Sequence, residues 1–430
     1  MPRWLYSTLL RGALPFAAVW FLWRGWRQPA YRGSLAQRLG FGLAPRAGRP
    51  LWLHAASMGE VQALAPLLRA LHDEDAQRPL LLTLVTPTGL ARARELFADL
   101  PRLALQAAPW DLPGATARFL DATRPRAGVF VETELWPNLA AAARTAGVPL
   151  ILASARLSGR SAVRYQRWMP RLMRETVRSF ARIGAQSEAD ATRFRELGAA
   201  DADVTVTGNL KFDLQLPDDV AARGGLLRRQ WAPARPLWIA GSTHAGEEAI
   251  CVDAQRRLVA AAREHGATPP LLALAPRRPE RFEPVARDLQ SWGVTWVRSS
   301  VDRAPAADVE VLLVDELGTL VTWYAACDAA FVGGSLVPVG GHNLLEPALL
   351  AKPVLAGPHT FNAPQVAAAL TGAGGLRVIV DAASLAAVLG VLLTDAAAAQ
   401  AQGARASATA AAGRGALART RELIAALPAR

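Results

Sequence analysis

Short apolar runs recur along this chain, and each stops in a cluster of small and polar residues. They lie at 51–54, 80–85, 128–131 and 149–153 in the first half, and at 237–240, 271–275, 311–314, 329–332 and 353–356 in the second. Brief unbroken apolar runs without alternation are the pattern of strands buried on both faces. Between them the spacing changes to that of helices, as at 61–71 after the first run and 344–351 after the eighth. Strand, polar turn and helix in repetition predict an α/β protein of doubly wound parallel sheets. Residues 205–211 close the first series. The expected division is a domain over 28–212, an interdomain linker over 213–236, a second domain over 237–402 and a C-terminal helix over 403–430. Beyond about residue 381 the chain is Ala-rich and helical, with no chemistry legible in it.

The start of the chain breaks this rhythm. Residues 4–23, WLYSTLLRGALPFAAVWFLW, form an apolar stretch about long enough for a ~30 Å hydrocarbon core. Trp4, Tyr6, Trp20, Trp23 and Trp26 suit membrane interfaces, while Arg11 and Pro15 weaken a spanning reading. No small-residue cleavage site follows, so a signal peptide is disfavoured. Residues 1–27 are expected to be a membrane anchor, spanning or lying in the interface; the competing reading is a hydrophobic helix packed on the body. Residues 1–50 carry Arg3, Arg11, Arg24, Arg27, Arg32, Arg38, Arg46 and Arg49 and no acidic residue, which keeps the following chain on the cytoplasmic side.

A length of 430 residues and 51% hydrophobic content exclude a disordered chain and allow two or three domains. The formal net charge is +12, but only Lys211 and Lys352 are lysines, so the excess is arginine in an Ala-rich chain and the location of charge says more than its sum. Arg160, Arg164, Arg167, Arg171, Arg174, Arg178 and Arg182 recur at helical spacing, with Pro170 as a possible break. They read either as a solvated face or as a surface toward anionic lipid. Nucleic acid is disfavoured as a partner, because no aromatic-interleaved platform or helix-turn-helix pattern accompanies the charge. Cys251 and Cys327 have no metal or redox spacing, and the six histidines form no metal-binding pattern.

Candidate chemistry sits where runs end. Glu60 opens the helix after the first run, as a catalytic carboxylate or as a favourable charge at a helix start. Glu132 and Glu134 follow the third run, suited to acid/base work or to orienting a sugar. In the second half, Gly241 to Glu248 and Gly333-Gly334 through Gly340-Gly341-His342-Asn343 read as glycine loops offering backbone N–H groups to an anion. Arg277, after the sixth run, is a natural phosphate clamp. Neither GxGxxG after a strand nor GxxxxGK[ST] is present, which disfavours a dinucleotide dehydrogenase and a P-loop NTPase.

AASMGE, ETELWPN, SARLS, GNLKFD, GSTHAGEE, PRRPERF, GGHNLLEP and GPHTFN occur in order from residue 55 to residue 362. Together they resemble the Kdo (3-deoxy-D-manno-octulosonate) transferases of lipopolysaccharide assembly. The resemblance implies a GT-B fold, with two Rossmann-like domains facing a cleft, an N-terminal acceptor-binding domain and a C-terminal CMP-sugar-binding domain. It implies inverting, metal-independent transfer of Kdo from CMP-Kdo to the tetraacylated lipid A precursor, without a cofactor, at the cytoplasmic face of the inner membrane. It further implies Glu60 as general base and Glu132 as a second catalytic residue. CMP would be held by Pro276, Arg277, Leu317, Gly318, Thr319, Asn343, Leu344, Leu345 and Glu346. Arg278, Ser154, Thr319 and Val339 depart from the family's usual residues. Read without the resemblance, the chain also admits another two-domain glycosyltransferase, a sugar-nucleotide epimerase, or a membrane-tethered binding protein.

Overall fold

A computed structural model describes residues 1–27, 34–43, 48–302 and 305–427. Arg32 and Arg46 of the basic N-terminal set lie outside them. The chain forms two compact units: Met1–Asp213 with Gly413–Arg430, and Leu214–Ala412.

The first unit is built on strands β1 (Leu51–Ala55), β2 (Leu80–Leu84), β3 (Leu103–Ala107), β4 (Ala127–Val131), β5 (Leu150–Ala155), β6 (Phe180–Ala185) and β7 (Val204–Val206). All pair in parallel, in the order β3-β2-β1-β4-β5-β6-β7. Every residue of β1, β2, β4 and β5 is buried, as helices on both faces require. The helix Met58–Glu74 begins where Ser57 Oγ accepts the Glu60 N–H, and it buries Val61, Leu64, Leu67, Leu68 and Leu71 on the sheet. Each such side chain contributes on the order of 1.5–3 kcal/mol. Strand order reverses between β1 and β4, so the loops after them open a crevice at the sheet's C-terminal edge.

The second unit contains β8 (Leu237–Thr243), β9 (Leu271–Pro276), β10 (Trp296–Arg298), β11 (Val311–Leu313), β12 (Ala329–Val332), β13 (Val354–Ala356) and β14 (Leu376–Val378). They too are parallel, in the order β10-β11-β9-β8-β12-β13-β14, with the reversal between β8 and β12.

Three expectations change. The 213–236 stretch is not an open linker: it holds the helix Val220–Trp231, packed on the helix Leu320–Ala326 so closely that a Cβ on Gly224 would lie 2.5 Å from that of Ala325. The C-terminal boundary falls near Gly413 instead of 403. The helix Ala396–Ala412 stays with the second sheet, where Gln402 Nε2 donates to Val354 O, while Ala416–Ala425 returns to the first unit, where the Asp213 carboxylate accepts from Gly415 N and Leu417 N. The arginine stripe is not one helical face either. Helices Gly159–Trp168 and Pro170–Val177 break at Met169–Pro170, Arg178 donates to Gly198 O beyond them, and Arg182 lies on β6 paired with Asp203 at 2.9 Å.

The first helix, Arg3–Arg27, is long and apolar enough to cross a membrane. One side is docked on the first unit: Tyr6 Oη donates to Asp111, Ser7 Oγ to Asn138, and Phe21 meets Trp110 edge-on. The other side exposes Trp4, Leu9, Phe16, Val19, Trp20, Leu22, Trp23 and Trp26.

Candidate active site

The reversal of the first sheet gathers carboxylates. Glu60 leaves the end of β1 and turns back on its own loop, accepting from Ala56 N at 2.6 Å and Ser57 Oγ at 3.1 Å. Burial, then the negative charges of Glu134 and Glu132, raise its pKa to about 7 against the two hydrogen bonds. A carboxylate poised there can take a proton near neutral pH. The same hydrogen bonds close the start of the helix Met58–Glu74.

Glu132 directly follows β4 with φ at +64°, a left-handed conformation that strains a non-glycine residue and recurs at functional sites. Its carboxylate pairs with Lys211 Nζ at 2.7 Å. The sequence reading left Lys211 without a role, since it is remote in the chain and its motif carries no sign of direction. The 209–211 loop is fixed by Ser154, itself at φ +49°, whose Oγ accepts from Leu210 N and from Gln186 Nε2. Asn209 Nδ2 in turn donates to Gln186 Oε1. Serine at 154 therefore orders the lysine loop.

Glu134 accepts from Trp136 Nε1 at 2.6 Å and faces the Nε2 of His54 at 3.4 Å, a polar contact without good hydrogen-bond alignment. Burial alone would raise the Glu134 pKa, but His54 and the Trp136 indole outweigh it and leave the group below its ordinary value. His54 lies wholly buried on β1, its Nδ1 2.9 Å from Thr83 Oγ1. Glu134 is thereby kept ionised beside Glu60, and its charge adds to burial in raising the Glu60 pKa.

The second sheet's reversal gathers cations and glycines, and here one expectation fails. The N–H groups of Gly334, Ser335 and Leu336 do not lie open to an anion: all three donate to the Glu247 carboxylate, at 2.7–2.9 Å, as does His244 N. Gly241 packs against the Tyr324 hydroxyl, where no Cβ would fit. Gly340 and Gly341, at φ +108° and +76°, are locked by Asn362, whose Nδ2 donates to Val339 O and Gly341 O. The glycine signatures here build a rigid floor.

Arg277 stands just past Pro276, the last residue of β9, with its N–H on Thr243 O, and its charge reaches both His244 and His342. Asn343 Oδ1 accepts from Leu345 N, and its amide donates to Glu346 at 3.1 Å. Leu344 and Leu345 are 2% exposed, so their side chains belong to the core. Leu317, Gly318 and Thr319 follow β11, with Leu317 exposed, Gly318 at φ +80° and Thr319 Oγ1 donating to Glu316 O. Because β8, β9, β11 and β12 are parallel, the loops bearing these groups all leave one edge of the sheet. The sequence reading missed the pairing of His244 with His342, which lie 98 positions apart. Among the described residues no cluster of three or more His, Cys, Asp or Glu is arranged to hold a metal ion.

Two parallel seven-stranded sheets, each with its polar groups at the reversal of strand order, define a GT-B-type α/β protein. The fold is that of solved sugar-nucleotide enzymes: the Neisseria meningitidis UDP-GlcNAc 2-epimerase aligns over 88% of this chain and all of its own with a TM-score of 0.55 at 13% identity, and Staphylococcus aureus MnaA over 88% and 96% with 0.53 at 15%. At that identity the likeness shows fold alone. Residues 33–214 match the family described as 3-Deoxy-D-manno-octulosonic-acid transferase (kdotransferase). The 3-deoxy-D-manno-octulosonic acid transferase of Bordetella pertussis is 41% identical over 89% of this chain and 89% of its own, and that of Haemophilus influenzae 36% identical over 99% and 98%. The chain belongs to the Kdo transferase family and is a glycosyltransferase of lipopolysaccharide biosynthesis.

Proposed function

We propose that the protein transfers Kdo from CMP-Kdo to the tetraacylated lipid A precursor (lipid IVA), inverting the anomeric centre and without a metal. The observation that carries this reading is the buried carboxylate cluster at the first reversal, where Glu60 has a pKa of about 7. In this reading Glu60 takes the proton of the attacking acceptor hydroxyl. Glu132, tied to Lys211, is the second catalytic group, and the ammonium offers charge to the transferring sugar's carboxylate. In the second unit, Arg277 and Pro276 hold the CMP phosphate. The 317–319 loop, with Asn343, Leu344, Leu345 and Glu346, holds the rest of the nucleotide, Leu344 and Leu345 through backbone. Inversion follows from attack opposite the departing CMP.

The helix Arg3–Arg27 attaches the enzyme to the inner membrane at its cytoplasmic face. Its outer aromatic and aliphatic side chains are supported by exposed Val163 and Trp168 on the arginine-bearing helix Gly159–Trp168. Exposed apolar side chains beside arginines suit an anionic lipid interface. The test is to incubate purified protein with CMP-Kdo and the precursor, with and without a chelator, and weigh the products. One or more Kdo additions, unaffected by chelation, are expected. An unmodified precursor, or chelator-sensitive transfer, contradicts the reading.

A further inference from the structure

Two histidines in the second unit are held together in a way that the fold alone does not require. His244 follows β8 and His342 follows β12, the strands that flank the reversal. Their Nε2 atoms are 2.8 Å apart and their rings are 6° from parallel, so one imidazole donates to the other. The chain makes room for them. A Cβ on Gly334, at φ +68°, would lie 2.9 Å from His342 Cδ2 and 3.0 Å from its Nε2.

The central bond uses one proton. In the neutral pair the donor ring has a bare Nδ1 and the acceptor ring an Nδ1–H. Neither Nδ1 is a buried atom without a partner, so both outer nitrogens stay open to solvent or ligand. One added proton fills the bare Nδ1 and leaves the central bond intact. The pair then becomes a cation with two outward donors, which suits an anion.

Its surroundings decide when that proton arrives. Arg277, Arg278 and Arg281 face it from the segment after β9; Glu247, on the helix Glu247–Glu264, lies close to His244, and Glu248 on that helix is paired with Arg281. Burial, then Arg277, His244 and Arg278, push His342 down to about 3. Burial also lowers His244, with Glu247 opposing and the three arginines assisting. The pair is therefore neutral when the site is empty. The backbone N–H groups of Gly334, Ser335 and Leu336 are consumed by Glu247, so those three are not offered to an anion, whereas the outer nitrogens of the two histidines are.

We propose that the His244–His342 pair is a proton-linked phosphate receptor, taking one proton from solvent as the phosphate of a cytidine nucleotide binds and returning it on release. This rests on reading the second unit as the CMP site. One unit of negative charge about 4 Å away changes proton affinity roughly a thousandfold at an effective dielectric of ~20. A phosphomonoester brings nearly two such charges at neutral pH. A sugar diester brings one, so proton uptake grows as CMP becomes the leaving group.

Calorimetry of CMP binding to the full-length protein in detergent, at pH 7.5 in two buffers of different ionisation enthalpy, tests this. The expected result is net uptake approaching one proton per CMP, absent with cytidine, and strongly reduced in His342→Gln and His244→Gln. Binding of CMP with the same enthalpy in both buffers overturns the proposal and leaves the CMP site standing. Uptake unchanged in both variants also overturns it. Failure of CMP to bind the wild-type chain overturns both readings.

Discussion

The two sheets of this enzyme place their polar groups at the same topological position and fill it with opposite chemistry. At the first reversal, β1 and β4 lead into Glu60, Glu132 and Glu134, three carboxylates with one lysine and one buried histidine among them. At the second, β8 and β12 lead into two histidines under the field of three arginines, while Glu247 is spent on backbone N–H groups and Glu248 is paired with Arg281. Both environments displace titrations toward the uncharged form, but in opposite directions: burial, with neighbouring negative charge second, raises an acid, and burial, with neighbouring positive charge assisting, lowers a base. On the proposed reading, the first reversal takes the proton of a hydroxyl and the second receives a phosphate, and the same strand-order reversal serves either task according to the charges its strand ends carry.

The largest effect that can break this comparison comes from Glu60. Glu60→Gln keeps size and the acceptor for Ala56 N but removes proton affinity; turnover should fall at least ~10²-fold, the low end for a positioned general base, with CMP affinity unchanged. Stability should move the other way. Glu60 titrates near 7 in the folded chain, above its ordinary 4.5. Between those values the unfolded chain gives up a proton that the native state keeps, so the stability is present below 4.5 and lost as pH rises through 7. The variant escapes that loss, and its melting temperature relative to wild type should rise from pH 5 to pH 8. Calorimetric scans at the two pH values check this; a variant destabilised at pH 8, with turnover intact, would return Glu60 to helix capping.

Next in size is Arg277→Ala. Loss of a charge-assisted contact should weaken CMP binding by roughly 1.5–3 kcal/mol, measured by calorimetry, while acceptor binding stays nearly unchanged. A smaller effect sharpens the comparison within the first unit. Glu134→Gln removes the largest neighbouring charge on Glu60, so the Glu60 titration, read from the acid limb of the rate profile, should move down by about one pH unit. An unmoved limb would separate Glu134 from the base. Smallest on chemistry is deletion of residues 1–27, which should release protein from membranes while most activity on detergent-dispersed acceptor survives. Because Tyr6, Ser7 and Phe21 dock this helix on the first unit, some loss of melting temperature is expected.

The sequence revealed the architecture through its buried central strands, whose apolar runs cannot be confused with a surface. It hid β3, β10 and β14, which lie at sheet edges and are partly exposed, so no apolar run marks them. It hid β6 behind the arginine stripe, where helical spacing was read through Arg182 into the strand. Glu60 and Glu132 stood out as candidates because Glu60 opens the helix after β1 and Glu132 directly follows β4. The His54–Glu134, Lys211–Glu132 and His244–His342 pairs join distant positions, and no local spacing reports them. The glycine loops misled for the same reason. Their form is that of an anion cradle, but the carboxylate filling the Gly333-Gly334 turn lies 87 residues away at Glu247.

The pH dependence of kcat/KM tests the division of labour most directly. If Glu60 is the base, held near 7 by burial and by Glu134 and Glu132, the rate should rise about tenfold per pH unit up to a plateau starting near pH 7. The residual rate of Glu60→Gln should lack that limb. A wild-type profile flat from about pH 5.5 to 8, or the same limb retained in Glu60→Gln, would contradict the assignment of proton transfer to the first reversal.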